Sequence, residues 1–281
     1  MSGTWLEQWR WADLTAITGA PNAASDPWAY VRSDGITAVV YAGGGNVHEL
    51  RLDNGWRWAN LTALASAPAA YDPIGYVRGD GISAVAYVGS FATGSRLHEL
   101  RLDDGWKWTD LTTAAGAPPV YSKLTAYVRS DGISTINYKG ADGHVYDVRL
   151  DSGWQLADLT TLAGGHNVLD RPAGYVRGAG TNAEDRSEIC ELRLETSWQN
   201  HCFGLIEGVV SGYMPRGYVR ADGISAIVYL GSDGHARELW LHGTWHAANL
   251  SALAGFVDPA GEVFPYNRSG ISAAYLPMVR R

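Results

Sequence analysis

The chain has 281 residues, of which 46% are hydrophobic and 18% charged, and its formal net charge is -7. An acidic chain without a basic run argues against a nucleic-acid backbone as its main partner, because phosphate contacts need a cationic face. No stretch approaches the roughly 20 apolar residues of a membrane span. The N-terminus has no signal-peptide pattern, so we expect a cytoplasmic or non-classically secreted protein.

A Tyr-Val-Arg triplet recurs along the whole chain. Its tyrosines are Tyr30, Tyr76, Tyr127, Tyr175 and Tyr218, and a relic stands at Tyr266. The intervals are 46, 51, 48, 43 and 48 residues, and the two chain ends together supply one further interval of 45. Repeats of this length that are built from short strands are typical of propeller blades. The sequence therefore predicts a single all-β domain over 1–281, a six-bladed β-propeller whose last blade is closed by the N- and C-terminal segments.

The first complete repeat shows how one blade is built. Four apolar or alternating stretches, separated by turns such as "SDG" and "DNG", predict an antiparallel sheet of four strands. They are "AYVR" (29–32), "ITAVVY" (36–41), "VHELRL" (47–52) and "WRWANL" (56–61). By its order in the repeat, the first strand should be innermost. The second strand is mostly apolar and β-branched, so we expect it to be buried on both faces.

The arginine of the triplet is the first candidate for ligand binding. Six of them near a channel axis would attract an anion, but four have an aspartate two residues on, which favours pairing within the blade. These aspartates are Asp34, Asp80, Asp131 and Asp222. Arg177 and Arg268 lack that aspartate, and we therefore predict that these two arginines contribute to ligand binding.

An acidic residue recurs in the third strand of five repeats, at Glu49, Glu99, Asp147, Glu191 and Glu238. A carboxylate between blades can accept two sugar hydroxyls, and hydrogen bonds to ionised oxygens are strong. The alternative is an internal ion pair with an arginine two residues on, such as Arg51. The residues leave both interpretations open.

Tryptophans begin the fourth strand of each repeat, and those present in every copy favour a core position between blades. They are Trp56, Trp106, Trp154, Trp198 and Trp245. A second tryptophan two residues on occurs only at Trp11, Trp58 and Trp108. Because Leu156, Asn200 and Ala247 replace it elsewhere, we predict that these three are partly exposed and stack on a ligand such as a sugar ring.

The fourth repeat departs from the others. It reads "GAGTNAEDRSE" where other copies have an apolar strand, and it holds Cys190 and Cys202, equidistant from a turn near Thr196. Opposite positions on a hairpin suit a disulfide, and two free thiols are the alternative. The sequence has no nucleophile elbow, phosphate loop or zinc-protease motif, and we expect no metal and no cofactor.

The segments "HELRLDNGW", "HELRLDDGW" and "RELWLHGTW" resemble the fucose-binding lectins of the Aleuria aurantia type. That resemblance implies a six-bladed propeller with fucose pockets between blades. Each pocket would use an arginine on strand two, the strand-three glutamate and an aromatic ring from the next blade. The acid matches Glu49, Glu99, Asp147, Glu191 and Glu238, whereas the arginine does not match, because "GITAVVY" and its copies have Thr or Ser there. Some proteins similar to these lectins in fold are cyclases.

The leading functional prediction is a multivalent carbohydrate-binding lectin with sites between blades, in which avidity raises weak single-site affinity. The first alternative is an enzyme, a cyclase or isomerase that acts on an apolar small molecule in the central channel or at the fourth blade. The second is a protein-interaction scaffold. The expected partner is a saccharide or small molecule, and a homo-oligomer is left open.

Overall fold

The computed structural model describes residues 12–91, 94–168, 171–177, 182–185, 189–204 and 206–255. Within those ranges the chain forms five four-stranded antiparallel sheets, each with its strands in chain order. We call them blades one to five. The segments that would form a sixth blade, together with Trp11 and Arg268, lie outside the described residues.

Blades one to three follow the regular pattern. Blade one contains β1 (Trp28–Val31), β2 (Thr37–Gly43), β3 (Asn46–Leu52) and β4 (Trp56–Asn60). Blade two contains β5 (Ala70–Val77), β6 (Ser83–Phe91), β7 (Gly94–Leu102) and β8 (Trp106–Asp110). Blade three contains β9 (Thr125–Val128), β10 (Ser134–Lys139), β11 (Val145–Leu150) and β12 (Trp154–Asp158).

The last two described blades keep the same order. Blade four contains β13 (Ala173–Val176), β14 (Asn182–Asp185), β15 (Cys190–Leu194) and β16 (Trp198–Cys202). Blade five contains β17 (Gly212–Val219), β18 (Ser225–Gly231), β19 (Ala236–His242) and β20 (Thr244–Asn249). The polar segment of the fourth repeat therefore still supplies a second strand, β14.

The segments that connect the blades, which we call links, contain short helices. One lies before blade one, and one follows each of blades one, two, three and five. The helices are α1 (Leu14–Thr18), α2 (Leu61–Ala65), α3 (Leu111–Ala115), α4 (Leu159–Leu162) and α5 (Leu250–Ala254). Each begins after an Asp or Asn whose side chain accepts the backbone N–H three residues on, as Asn60 does from Ala63 at 2.9 Å. Such N-caps start a helix, so the outer strand ends at Asn60 rather than at Leu61.

The first strands of consecutive blades contact one another, which confirms that the Tyr-Val-Arg strand is innermost. The serine that begins the second strand, directly after the letters "GI", forms a hydrogen bond to the preceding blade. Ser83 Oγ accepts the backbone N–H of Ser33 at 2.9 Å, and Ser134 Oγ accepts that of Gly79 at 2.8 Å. The inner strands pack so closely that a Cβ at Gly75 would overlap the ring of Tyr30.

The core lies between the blades. One cluster joins Val40 and Val47 of blade one to Val85, Tyr87 and Leu100 of blade two. From Ala38 to Gly43, the second strand of blade one is buried at every position except the half-buried Val39, which confirms the prediction of a strand covered on both faces. In this architecture the helices, the links and the hairpins between second and third strands share one side, which we call the link face.

Candidate ligand-binding sites

The recurring triplet and the strand-three acid meet inside each regular blade. In blade one, Tyr30 Oη donates to Glu49 Oε1 at 3.2 Å, and Arg32 Nη1 donates to Glu49 Oε2 at 3.2 Å. Arg51 lies farther away, with 3.7 Å between its Nη1 and Glu49 Oε2. The Glu49 side chain has no exposed surface. Both carboxylate oxygens therefore have partners from the innermost strand of the same blade.

Blade two repeats this arrangement. Tyr76 Oη lies 2.5 Å from Glu99 Oε1, and Arg78 Nη1 lies 3.3 Å from Glu99 Oε2. Burial raises the pKa of Glu99, while the hydrogen bond from Tyr76 and the charge of Arg78 oppose that rise. Burial likewise raises the pKa of Glu49. A buried acid with two donors is a structural element that ties the first strand to the third.

Blade three has an acid that is one methylene shorter, and a neighbouring residue has changed with it. Asp147 accepts a hydrogen bond from the Thr135 hydroxyl and lies 3.5 Å from Asn137 Nδ2. Thr135 stands where blades one and two have alanine, and it brings a hydroxyl to the shortened side chain. Burial raises the pKa of Asp147 to about 6, against the opposing charge of Arg149.

Blades four and five keep the tyrosine on the acid. Tyr175 Oη donates to Glu191 Oε1 at 2.7 Å, and Tyr218 Oη donates to Glu238. Arg177 Nε also donates to Glu191 Oε1 at 2.8 Å, and its Nη2 pairs with the other oxygen. Arg177 has no aspartate two residues on, and it turns the Nε–Nη2 edge of its guanidinium to both oxygens of the glutamate. Its ligand-binding role stays a prediction.

The four predicted Arg–Asp pairs are confirmed. The distances between Nη2 and the carboxylate are 2.7 Å for Arg32 and Asp34, and 2.5 Å for Arg78 and Asp80. The other two pairs, Arg129 with Asp131 and Arg220 with Asp222, measure 2.6 and 3.5 Å. These arginines are therefore neutralised within their own blades.

Two of the predicted stacking tryptophans are partly exposed, as expected. Trp58 and Trp108 each expose 39% of their surface. Each stands edge-on to a buried histidine, with 5.6 Å between the ring centroids of Trp58 and His48 and the same distance between those of Trp108 and His98. The third, Trp11, lies outside the described residues.

Each of these histidines rests in turn on a buried tyrosine. The ring centroids of His48 and Tyr41 are 5.4 Å apart, and those of His98 and Tyr87 are 5.2 Å apart. We call the two arrangements, Trp58–His48–Tyr41 and Trp108–His98–Tyr87, the Trp columns. Burial lowers the pKa of both histidines, so the rings are neutral at pH 7. The columns were not predicted from the sequence, although the repeated His before the strand-three acid was their signal.

Strand register places a Trp column and an acid in the same gap. Glu49 pairs directly with Val40, whose face of blade one packs against Leu100 and Trp106 of blade two. Trp108 pairs directly with Leu100 and so lies on that same face of blade two. Glu49 and Trp108 therefore face the gap between blades one and two from opposite sides. The tryptophans that begin the fourth strands, such as Trp106 and Trp154, are half-buried against the core, as predicted.

At the link end, side chains connect blades that do not follow one another in the chain. Lys123 of blade three lies 2.5 Å from Asp26, which leads into blade one, and the guanidinium of Arg216 in blade five lies 5.9 Å from the ring centroid of Trp28. These partners belong to blades that are not neighbours among the described residues. In the described part of the chain, no three His, Cys, Asp or Glu side chains gather as metal ligands.

The fourth blade contains a disulfide between Cys190 and Cys202. The two cysteines are direct partners in the β15–β16 ladder. They occupy the positions of His48 and Asn60 in blade one, so blade four has a covalent link where blades one and two have the base of a Trp column. Among the described helices, none has the length and apolar character needed to cross a bilayer.

Comparison with solved structures shows that the fold is a β-propeller. The chain is similar to the SapL1 lectin in complex with α-methyl fucoside, with 15% identity, a TM-score of 0.57 and coverage of 91% of this chain and 89% of that one. It is also similar to AofleA from Arthrobotrys oligospora, with 14% identity, a TM-score of 0.56 and coverage of 81% and 71%.

A third similar structure is the six-bladed β-propeller lectin of Aleuria aurantia. The identity is 13%, the TM-score 0.52, and the alignment covers 81% of this chain and 79% of that one. At this identity the likeness establishes the fold, and it confirms the resemblance inferred from the repeats. No protein-family model and no curated protein sequence matches the chain.

Proposed function

We propose that the protein is a carbohydrate-binding propeller of six blades, closed by its two terminal segments, with saccharide sites in the gaps between blades. The fold shared with two lectin structures supports the class of ligand, since one of them holds a methyl fucoside. The sixth copy of the triplet, the relic at Tyr266, supports the sixth blade. A ring seals itself when both termini contribute to one sheet.

The Trp columns are the observation that carries this proposal. A sugar presents a C–H face that packs on an aromatic ring, and a ring already held in place loses little entropy on binding. Trp58 and Trp108 are exposed, and a buried His and a buried Tyr support each of them. Two neighbouring blades thus present the same rigid platform. Trp11 has the equivalent position in its repeat, and we propose that it also stacks on a sugar.

We also propose that the five strand-three acids accept sugar hydroxyls, although each already has partners within its own blade. Glu49 faces the same gap as Trp108, but Tyr30 and Arg32 occupy its oxygens. Because the Glu49 side chain has no exposed surface, a sugar hydroxyl can bond to it only after Tyr30 or Arg32 moves away. The arginine on the acid comes from the first strand here, whereas the lectin resemblance implies one from the second. We therefore propose a saccharide site without assigning fucose.

A glycan array with wild-type protein and the variants Trp58→Ala, Trp108→Ala and the double variant tests the proposal. We expect wild type to bind defined glycans, each single variant to weaken binding, and the double variant to lose most of it. The matched control is Tyr121→Ala, which removes an aromatic ring that is 70% exposed but has no histidine beneath it. An array without any glycan bound by wild type would overturn the proposal.

A further inference from the structure

A cavity of about 290 Å³ opens on the link face, beside the buried base of the Trp58 column, where His48 Nε2 lies 3.0 Å from the carbonyl oxygen of Gly43. Its floor is made of small residues, among them Ala42 and Gly43 of the β2–β3 hairpin and Ala70 at the start of blade two. Its rim carries Ser25, Tyr71 and Asp72. The cavity thus lies where the hairpin of blade one meets the chain entering blade two.

The residue just before Ala70 is also small, whereas its counterparts at the next two gaps are larger. Ala69 Cβ lies 3.9 Å from the place of a Cβ on hairpin residue Gly45. At the next gap Pro119 takes the place of Ala69, and its Cβ lies 3.3 Å from the place of a Cβ on Gly94, the residue before the counterpart of Gly45. At the gap after that, Asn167 takes this place and donates from Nδ2 to the carbonyl of Asp142 at 2.7 Å.

A β-bulge in blade two aims the rim side chains outward. The register shifts between Tyr71 and Ile74, and Asp72 has a φ of 43°, in the left-handed region that non-glycine residues seldom adopt. Tyr71 is 51% exposed as a result. Blade five has the same bulge, with Tyr213 at the equivalent place and Met214 at a φ of 55°.

The carboxylate of Asp72 makes the bulge of blade two different from the equivalent positions of blades one and five. Asp26 is the equivalent acid in blade one, and Lys123 neutralises it at 2.5 Å. In blade five the position holds Met214, which has no carboxylate. Across the described residues, the side chain of Asp72 takes no hydrogen bond or ion pair. A half-buried carboxylate beside an open tyrosine ring is thus available to a ligand.

We propose that this cavity is a second saccharide site, which binds a single sugar residue. Tyr71 would cover the C–H face of the ring, and Asp72 would accept its hydroxyls, a pairing of apolar surface with a few fixed polar groups that ligand sites share. The volume is at the lower end for ligand pockets, which fits one sugar ring rather than a chain. This inference rests on the proposed function, because it assumes a saccharide ligand.

Nuclear magnetic resonance separates the two kinds of site. We would label the alanine methyl groups with carbon-13 and the tryptophan indoles with nitrogen-15, then titrate the full chain with a panel of methyl glycosides of hexoses, 6-deoxyhexoses and N-acetylhexosamines. The methyl signals of Ala42 and Ala70 report on the cavity, and the indole signals of Trp58 and Trp108 report on the columns. Binding in the cavity predicts saturable shifts of the alanine signals.

Variants then test whether the rim residues Tyr71 and Asp72 bind the sugar. We expect Asp72→Asn and Tyr71→Ala each to weaken binding at the alanine reporters at least tenfold, and to leave the indole shifts unchanged. Asparagine tolerates the left-handed backbone of position 72. Tyr213→Ala is the matched control, because it removes the equivalent ring from blade five, and it should leave the alanine shifts as they are in wild type.

The outcomes distinguish failure of the cavity from failure of the proposed function. Shifts of the indoles without shifts of the alanines would overturn the cavity site and leave the columns standing. Alanine shifts that neither Asp72→Asn nor Tyr71→Ala changes would also overturn it. An absence of shifts at both sets of reporters, for every glycoside, would overturn the cavity and the proposed function together.

Discussion

Blades one and two differ from blades three to five in their outer halves and agree in their inner halves. The inner half, where the first strand meets the third-strand acid, keeps a buried carboxylate with internal donors in every described blade. The outer half carries a Trp column only in blades one and two. In blade four the corresponding place has a disulfide, and in blade three Leu156 replaces the exposed tryptophan.

This difference separates the part of the repeat that builds the fold from the part that is free to vary. Blade three shortens the acid to Asp147, and Thr135 supplies a compensating hydroxyl. Compensation of that kind is expected where a carboxylate must stay satisfied inside the protein. The outer half changes without such compensation, from Trp to Leu, Asn or Ala. We therefore assign scaffolding to the inner half first, and the sugar stacking of the proposed function rests on the outer half.

The largest expected effect comes from removing an inner acid. Glu99→Ala leaves the buried Tyr76 hydroxyl without its acceptor and Arg78 with Asp80 as its one remaining acid, and we expect it to cost about 3–5 kcal/mol of unfolding free energy. Urea denaturation measures the loss. Asp103→Ala, which removes an exposed acid from the same blade, is the control and should cost less than about 1 kcal/mol. Equal unfolding free energies for the two variants would contradict the claim that the inner acid stabilises the fold.

Opening the disulfide of blade four should have the next largest effect. The two cysteines are 12 residues apart, and closing a loop of that size stabilises a fold by about 3 kcal/mol. Cys190→Ser combined with Cys202→Ser should therefore lower the unfolding free energy by about 2–4 kcal/mol. The signals of the Trp columns in blades one and two should not move. A wild-type protein whose stability is insensitive to a reducing agent would argue against the bond.

Protonation of Asp147 should give a smaller, pH-dependent effect. Its folded-state pKa of about 6 lies above the ordinary value of 3.8, so the folded state binds the proton more tightly than the unfolded state. The contribution is present at low pH and is lost as the pH rises through 6. Between pH 4 and pH 7 it amounts to about 2 kcal/mol. Asp147→Asn should remove this part of the pH dependence, and an unchanged profile would contradict the assignment.

The sequence predicted the scaffold well because its signals repeat. Tyr-Val-Arg, the turn glycines and the alternating third strand recur in each copy, so the strand order and the Arg–Asp pairs followed from them. The partners of Glu49 were not predictable in the same way. Spacing along the third strand pointed to Arg51, whereas the nearer donors Tyr30 and Arg32 come from another strand of the sheet.

The cavity beside Tyr71 could not be predicted from the sequence either, for a different reason. It is lined by small residues such as Ala42 and Ala70, and a bulge turns Asp72 outward. Neither feature has a pattern of its own in the sequence. The Trp columns stand between these cases, because the spacing identified Trp58 and Trp108 but gave no indication of the histidines beneath them.

Calorimetric titration of wild type and of the Trp58→Ala/Trp108→Ala double variant with a glycan identified on the array tests the central claim most directly. The account predicts that the double variant binds about two fewer sugars per chain, while its unfolding free energy stays within about 1 kcal/mol of wild type because both rings are partly exposed. An unchanged number of bound sugars in a folded double variant would contradict it.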